Sequence, residues 1–137
     1  ITDKEMTRFN ISLKEAVDMV LWSLQNMYGG EIIIPKIKAF KITDLARAIN
    51  NKMAHKIIGI RDGEKKHEEL INEADSLNTY SASKYYVLLS QFKSLIPYYK
   101  KKFKATKVNK AFKYNSNTVG EFLSINQLKK IINKYRV

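Results

Sequence analysis

Gly59-Ile60-Arg61-Asp62-Gly63-Glu64-Lys65-Lys66-His67-Glu68 runs from an apolar segment through a glycine turn into a dense group of charges. His55-Lys56-Ile57-Ile58-Gly59-Ile60 reads as a strand, so Arg61 is expected at the strand's end and Asp62-Gly63 as the turn. Gly63 admits backbone dihedrals closed to other residues. Glu64 follows Arg61 by three positions, which lets both side-chain heads converge on one ligand. A guanidinium matches a diphosphate through planar, charge-assisted hydrogen bonds. A carboxylate accepts from the vicinal hydroxyls of a ribose. Arg-x-Gly-Glu therefore fits a nucleoside diphosphate, although as a bare pattern it more often marks a surface turn with a local ion pair. Glu64 to Ile71 is ambiguous between helix and strand.

Upstream, Met6-Thr7-Arg8-Phe9 supplies a second arginine. Ser12-Leu13-Lys14-Glu15 is a capping box, in which a hydroxyl and a carboxylate satisfy the free N–H groups of a helix start. Ala16, Val17, Val20, Leu21, Leu24 and Met27 then form one apolar stripe, expected to face the core. Gly29-Gly30 ends that helix. Glu31-Ile32-Ile33-Ile34, closed by Pro35, predicts a buried strand. Thr43 is expected to cap a second helix carrying Leu45, Ala46 and Ile49. Downstream, Tyr85–Leu89 predicts another strand. Residues 90–113, basic and with Pro97 among them, are expected to be the least regular part of the chain. Ser124-Ile125-Asn126-Gln127 is a second capping box, opening a closing helix over 124–135 with Leu128, Ile131 and Ile132 inward.

The order of these pieces resembles the C-terminal half of the inverting UDP-N-acetylglucosamine 4,6-dehydratases, which open pseudaminic acid synthesis, and their capsule-polysaccharide relatives. The resemblance rests on Met6-Thr7-Arg8-Phe9, the capped helix, Gly29-Gly30-Glu31-Ile32 with Pro35, Lys41-Ile42-Thr43-Asp44-Leu45 and Ile57-Ile58-Gly59-Ile60-Arg61-x-Gly63-Glu64-Lys65-x-His67-Glu68. It covers residues 6 to about 89 and resumes at 114–133, where Tyr114-Asn115-Ser116-Asn117-Thr118 and Phe122-Leu123-Ser124 stand near that family's Tyr-Asn-Ser-Gly-Thr segment. The family usually has Pro at the place of Asp62, Leu at Lys66, Gly at Asn117 and Asn-Asp at Val119-Gly120.

The resemblance implies a mixed α/β fold: the small C-terminal substrate-binding lobe, residues 1–137, of an extended short-chain dehydrogenase, with the N-terminal Rossmann lobe absent from this chain. It implies that Arg61 contacts the diphosphate, that Glu64 contacts the uridine ribose, and that Thr7 and Arg8 lie along the nucleotide or sugar. NADP, the Asp-Lys pair and the Tyr-x-x-x-Lys of catalysis belong to the cofactor lobe, so no cofactor is expected in this chain. The partners implied are a UDP-sugar, a separate or missing cofactor lobe and another copy of the chain. Tyr80-Ser81-Ala82-Ser83-Lys84 does match Tyr-x-x-x-Lys, but it falls after the substrate turn and next to a strand, and is read as coincidence.

Composition sets the outer bounds. The 137 residues carry a formal charge of +12 and no cysteine, which removes disulfides, thiolate catalysis and Cys-based zinc sites. No apolar run approaches the roughly 18–20 residues of a membrane span, and the polar start predicts no signal peptide, so a cytoplasmic location is expected. His55 and His67 lack zinc-site spacing. The bases concentrate from Lys101 onward. They leave one rival open, a basic module for nucleic acid or an acidic partner, with Tyr98-Tyr99-Lys100-Lys101-Lys102-Phe103 as aromatic–cation groove. Against it stand the preference for lysine over arginine and the lack of a nucleic-acid-binding fold signature.

Overall fold

The computed structural model of the chain describes residues 1–89 and 93–135. Along the chain run β1 (Thr7–Phe9), α1 (Leu13–Asn26), β2 (Ile32–Pro35), β3 (Ala39–Lys41), α2 (Ile42–Ile49), β4 (Glu69–Ile71) and α3 (Glu73–Ser76). There follow β5 (Thr79–Ala82), β6 (Tyr85–Leu88), α4 (Ile96–Phe103), β7 (Thr106–Lys107), β8 (Tyr114–Asn115) and α5 (Ile125–Tyr135). The fold is mixed α/β. The chain's internal contacts group it into two compact units, one of Ile1–Asn10, Lys38–Glu69 and Asn115–Val137, the other of Ile11–Ile37 and Leu70–Tyr114. β4 and β8 form a two-stranded sheet.

In the first unit β1 pairs antiparallel with β3, setting Thr7 opposite Lys41 and Arg8 opposite Phe40. Phe122 bridges Ala39 in parallel on the far side of β3. α2 and α5 pack their apolar faces together: Ala48, Leu123 and Leu128 are buried, with Phe40, Leu45, Ile131 and Ile132 against them. The Ser124 capping box forms as expected, with the Ser124 N–H donating to Gln127 Oε1 at 2.8 Å and the Gln127 N–H to Ser124 Oγ at 3.3 Å. α2 begins directly after β3, with Lys41 at the cap position and no side-chain cap, so Thr43 does not cap it.

The second unit holds a four-stranded antiparallel sheet in the order β2-β6-β5-β7. Its core is Tyr80, Ala82, Val87, Leu89, Tyr99 and Ala105. The Ser12–Glu15 capping box starts α1 as the sequence predicts. The inward face of α1 is not the expected one. Leu13, Val17, Val20, Leu21 and Leu24 are all exposed, Leu24 to 76%. The helix instead turns Trp22 inward, whose ring lies 4.7 Å from Tyr85 and 5.0 Å from Phe103. An apolar stripe fixes that a helix is amphipathic; which face a neighbouring sheet takes depends on shape, and the indole is the large flat surface available.

Residues 55–60 form no strand. Among the described residues their backbone hydrogen-bonds only to Ile1: the Ile58 N–H donates to Ile1 O at 2.9 Å, and the Ile1 amine donates to Lys56 O at 3.0 Å. Gly59, at φ +87°, breaks the extended run. β-branched composition cannot replace a neighbouring strand to bond the backbone.

Of the segment 90–113, residues 90–92 lie outside the described ones; of the remainder, 93–103 is helical, against expectation, while 108–113 holds no regular element. α4 occupies Ile96–Phe103, Pro97 falls in its first turn where no N–H is needed, and Lys100, Lys101 and Lys102 fill its last turn. Proline and lysine are favourable at those two ends of a helix. Tyr99 is wholly buried. Among the described residues no helix is long and apolar enough to cross a membrane.

Glu31 anchors this unit. Its carboxylate is almost fully buried and accepts from the Tyr28 N–H at 3.0 Å, the Gly29 N–H at 2.8 Å and the Tyr99 hydroxyl at 3.0 Å. Burial pushes its pKa up, but the bonds from Tyr28, its own amide, Tyr99 and Gly29 outweigh burial and hold it below the ordinary 4.5. The Tyr99 phenol is pushed up, by burial first and then by Glu31.

Tyr99→Phe will destabilise the fold by about 1.5–3 kcal/mol, the scale of a hydrogen bond to a charged group, read by urea unfolding. Because the folded Glu31 pKa is depressed, its contribution is complete above 4.5 and fades as pH falls through the folded value, so the gap between wild type and Tyr99→Phe will narrow in acid. In hydrogen exchange the amides of residues 100–103 will be protected, and free exchange there would show that α4 does not form.

Candidate functional site

Strand β1 and the turn after Ile60 bring the predicted ligand residues together within the first unit. The Glu64 N–H donates to Arg61 O at 3.0 Å, closing a four-residue turn whose third member, Gly63, has φ +76°. Only glycine takes that conformation without strain. The turn folds the Glu64 carboxylate back, where Oε2 accepts the Arg61 N–H at 3.2 Å and Oε1 accepts the Thr2 hydroxyl at 3.2 Å. Arg8 stands behind it: Nη2 is 3.8 Å from Glu64 Oε1, and Nε is 3.5 Å from Glu68 Oε1. Arg8 Nη1 also donates to Thr7 O at 2.7 Å and to Lys66 O at 3.2 Å. Lys66 reaches Asp3 and Glu5, and those carboxylates hold its pKa above the usual value.

Of the four predicted site residues, Arg8 and Glu64 are in contact and each about one quarter exposed. Arg61 joins them through its backbone; its side chain is exposed and forms no ion pair among the described residues. Thr7 is completely buried. Its Oγ1 lies 2.8 Å from His67 Nδ1 and 2.7 Å from Ser116 Oγ. Ser116, equally buried, accepts the Glu68 N–H at 2.9 Å, while its own N–H donates to Glu68 O at 2.8 Å.

This arrangement divides the electrostatics. Arg8 between Glu64 and Glu68 is matched by two carboxylates and two carbonyls. Glu64 uses part of its acceptor capacity, since a carboxylate has about four lone-pair positions, and a partly exposed carboxylate with room for donors suits hydroxyl groups. Arg61 and Lys65 are both exposed and form no ion pair among the described residues. Sequence reading passed over His67, Ser116 and Glu68 as site members. The signal available was Ser116 inside Tyr-Asn-Ser-Asn-Thr and His67-Glu68 four residues beyond Gly63.

Other sequence candidates lie elsewhere. Tyr80 sits in β5 and Lys84 in the hairpin turn before β6, so Tyr80-x-x-x-Lys84 never shares a helical face. Lys84 instead borders a depression of about 260 Å³ in the second unit, with Glu15, Asp18, Lys36 and Tyr85. The aromatics of the Tyr98–Phe103 run turn to their own core: Tyr99 is buried and Phe103 meets Trp22, so they form no stacking platform. Among the described residues no three or more acidic or histidine side chains gather as a metal site. Nor do the described residues fit a dinucleotide, whose pyrophosphate needs a parallel strand leading through a glycine-rich turn into a helix. β3 runs straight into α2 without glycine, and β1 reaches α1 through Asn10-Ile11-Ser12.

Comparison with known proteins gives this geometry a family. The model of a polysaccharide biosynthesis protein family matches residues 1–90. An inverting UDP-N-acetylglucosamine 4,6-dehydratase of Campylobacter jejuni serotype O:23/36 is 44% identical over 97% of this chain and 41% of its own length. Another from C. jejuni serotype O:2 is 53% identical over 68% of this chain and 28% of its own. The X-ray structure of Pen from Bacillus thuringiensis superposes at a TM-score of 0.80 with 23% identity, over 98% of this chain and 40% of that one, a likeness of fold. This chain thus spans about two fifths or less of these proteins. With the family model covering Arg8, Arg61, Glu64 and His67 alike, the chain belongs to the polysaccharide biosynthesis protein family and is similar to part of its inverting UDP-N-acetylglucosamine 4,6-dehydratases.

Proposed function

We propose that this chain is the UDP-sugar-binding portion, the C-terminal lobe of an extended short-chain dehydrogenase, of a UDP-N-acetylglucosamine 4,6-dehydratase acting in the cytoplasm. The observation that carries the reading is the Glu64 carboxylate, turned back by Gly63, braced by Arg8 and still partly open beside Arg61. Relatives 44% and 53% identical that are named for this reaction support the choice of ligand. In this reading Glu64 accepts from the ribose hydroxyls, Arg61 swings onto the diphosphate, and Arg8 holds Glu64 in place.

The reaction oxidises C4 of the sugar, removes water across C5–C6 and reduces C6. The nicotinamide chemistry belongs to a cofactor lobe, and this chain's share is to hold the nucleotide. Asp62, beside Arg61, adds a negative charge that works against phosphate.

Calorimetry tests the assignment. Arg61→Ala is expected to weaken UDP binding by about 1.5–3 kcal/mol and to weaken pyrophosphate binding as well. Glu64→Gln will weaken UDP but spare pyrophosphate; unchanged UDP affinity in both variants contradicts the site. The chain incubated with NADP and UDP-N-acetylglucosamine will yield no 4-keto-6-deoxy sugar by NMR, because no base and hydride acceptor are held against C4. Turnover would place catalytic groups within these 137 residues.

A further inference from the structure

We infer that His67 is locked by Thr7 and Ser116 into the tautomer with its proton on Nε2, and that this N–H is a further donor of the nucleotide site. The inference rests on the UDP-sugar reading for its ligand, but its first half follows from counting protons. Ser116 Oγ accepts the Glu68 N–H at 2.9 Å, Ser116 and Thr7 hydroxyls are 2.7 Å apart, and Thr7 Oγ1 is 2.8 Å from His67 Nδ1. Both hydroxyls are at zero exposure, so water does not complete the set.

Suppose His67 Nδ1 carried the proton and donated to Thr7. Thr7 would then donate to Ser116, and the Ser116 proton would have no acceptor among the described residues; reversing the Thr7–Ser116 bond merely moves the orphan to Thr7. A buried donor left without a partner is costly. One arrangement uses every proton: Glu68 N–H to Ser116, Ser116 O–H to Thr7, Thr7 O–H to His67 Nδ1. The proton of the neutral ring then sits on Nε2.

The ring is only partly buried, and its Nδ1 edge is the one that meets the buried hydroxyls, so the Nε2 edge is the outward one. Nε2 makes no hydrogen bond among the described residues. His67 lies three residues beyond Glu64 and next to Glu68, on the segment that carries the cluster. It offers a directed, uncharged donor where Glu64 offers acceptors, which suits an oxygen of the nucleotide or its sugar. Thr7 and Ser116 act through it and are positioning residues. Thr7, expected to lie along the ligand, contributes in this way from inside the fold.

The test uses the whole purified chain, with selectively labelled histidine nitrogens observed by NMR above the ordinary imidazole range, and exposed His55 as internal reference. His67 is expected to show a proton-free Nδ1 and a protonated Nε2, and the Nε2 signal is expected to move on adding UDP. His67→Asn keeps a group at the place of Nδ1 and removes the outward donor; it should weaken UDP about tenfold, on the scale of one hydrogen bond, with an unchanged melting temperature. His67→Gln, whose amide nitrogen reaches the place of Nε2, should recover most of that loss. A protonated Nδ1 overturns the relay whether or not UDP binds. A proton-free Nδ1 with equal UDP affinity in wild type and His67→Asn overturns the contact. A proton-free Nδ1 in a wild-type chain that does not bind UDP overturns the nucleotide reading and the contact with it, while the relay stands.

Discussion

A single buried hydroxyl, that of Thr7, ties together the parts on which the candidate site depends. It joins β1 to His67, 60 positions away, and to Ser116, 109 positions away. Neither partner is a sequence neighbour, and the hydroxyl has no water to fall back on. The fold must therefore deliver both partners or leave a polar group orphaned, at a cost of about 1–3 kcal/mol. Once they are delivered, much else follows. Ser116 and Glu68 exchange backbone and side-chain bonds, the Thr7 N–H reaches Lys66 O, and Arg8, next along β1, is set between Glu64 and Glu68.

The site that results uses its charges unequally. Ion pairs at 3.5 and 3.8 Å on partly exposed side chains contribute little stability. Their effect is geometric: a guanidinium among two carboxylates and two carbonyls fixes where those carboxylates point. Arg61, held by its backbone, and Lys65 are the exposed cations beside it that pair with no carboxylate among the described residues. The second unit carries its buried charge differently, in a Glu31 carboxylate so fully bonded that it has become a structural anchor of the helix–strand turn.

Local chemistry was legible in the sequence and neighbours were not. Both capping boxes form because their donors and acceptors lie three residues apart. The Gly63 turn forms because its dihedral is a property of one residue. Residues 55–60 look like a strand and are not one, because a strand exists by virtue of a partner. The α1 stripe specifies an amphipathic helix but not the face that is buried, since Trp22 meets the larger aromatic surface. Pro97 and the lysines of α4 spoke against order when taken as composition, yet they sit at the helix ends that favour them. In the site, Arg8 and Glu64 were found from a motif and do touch. His67 and Ser116 were hidden because their role depends on a contact that spans most of the chain.

The central claim is that the cluster around Glu64, and not the lysine-rich segment, is where this chain meets a nucleotide. Titrating UDP into uniformly labelled chain while following every backbone amide tests it most directly. The account predicts shifts confined to residues 7–8, 61–68 and 115–117. Shifts concentrated at Lys100–Lys113, or no shift at saturating UDP, would contradict it.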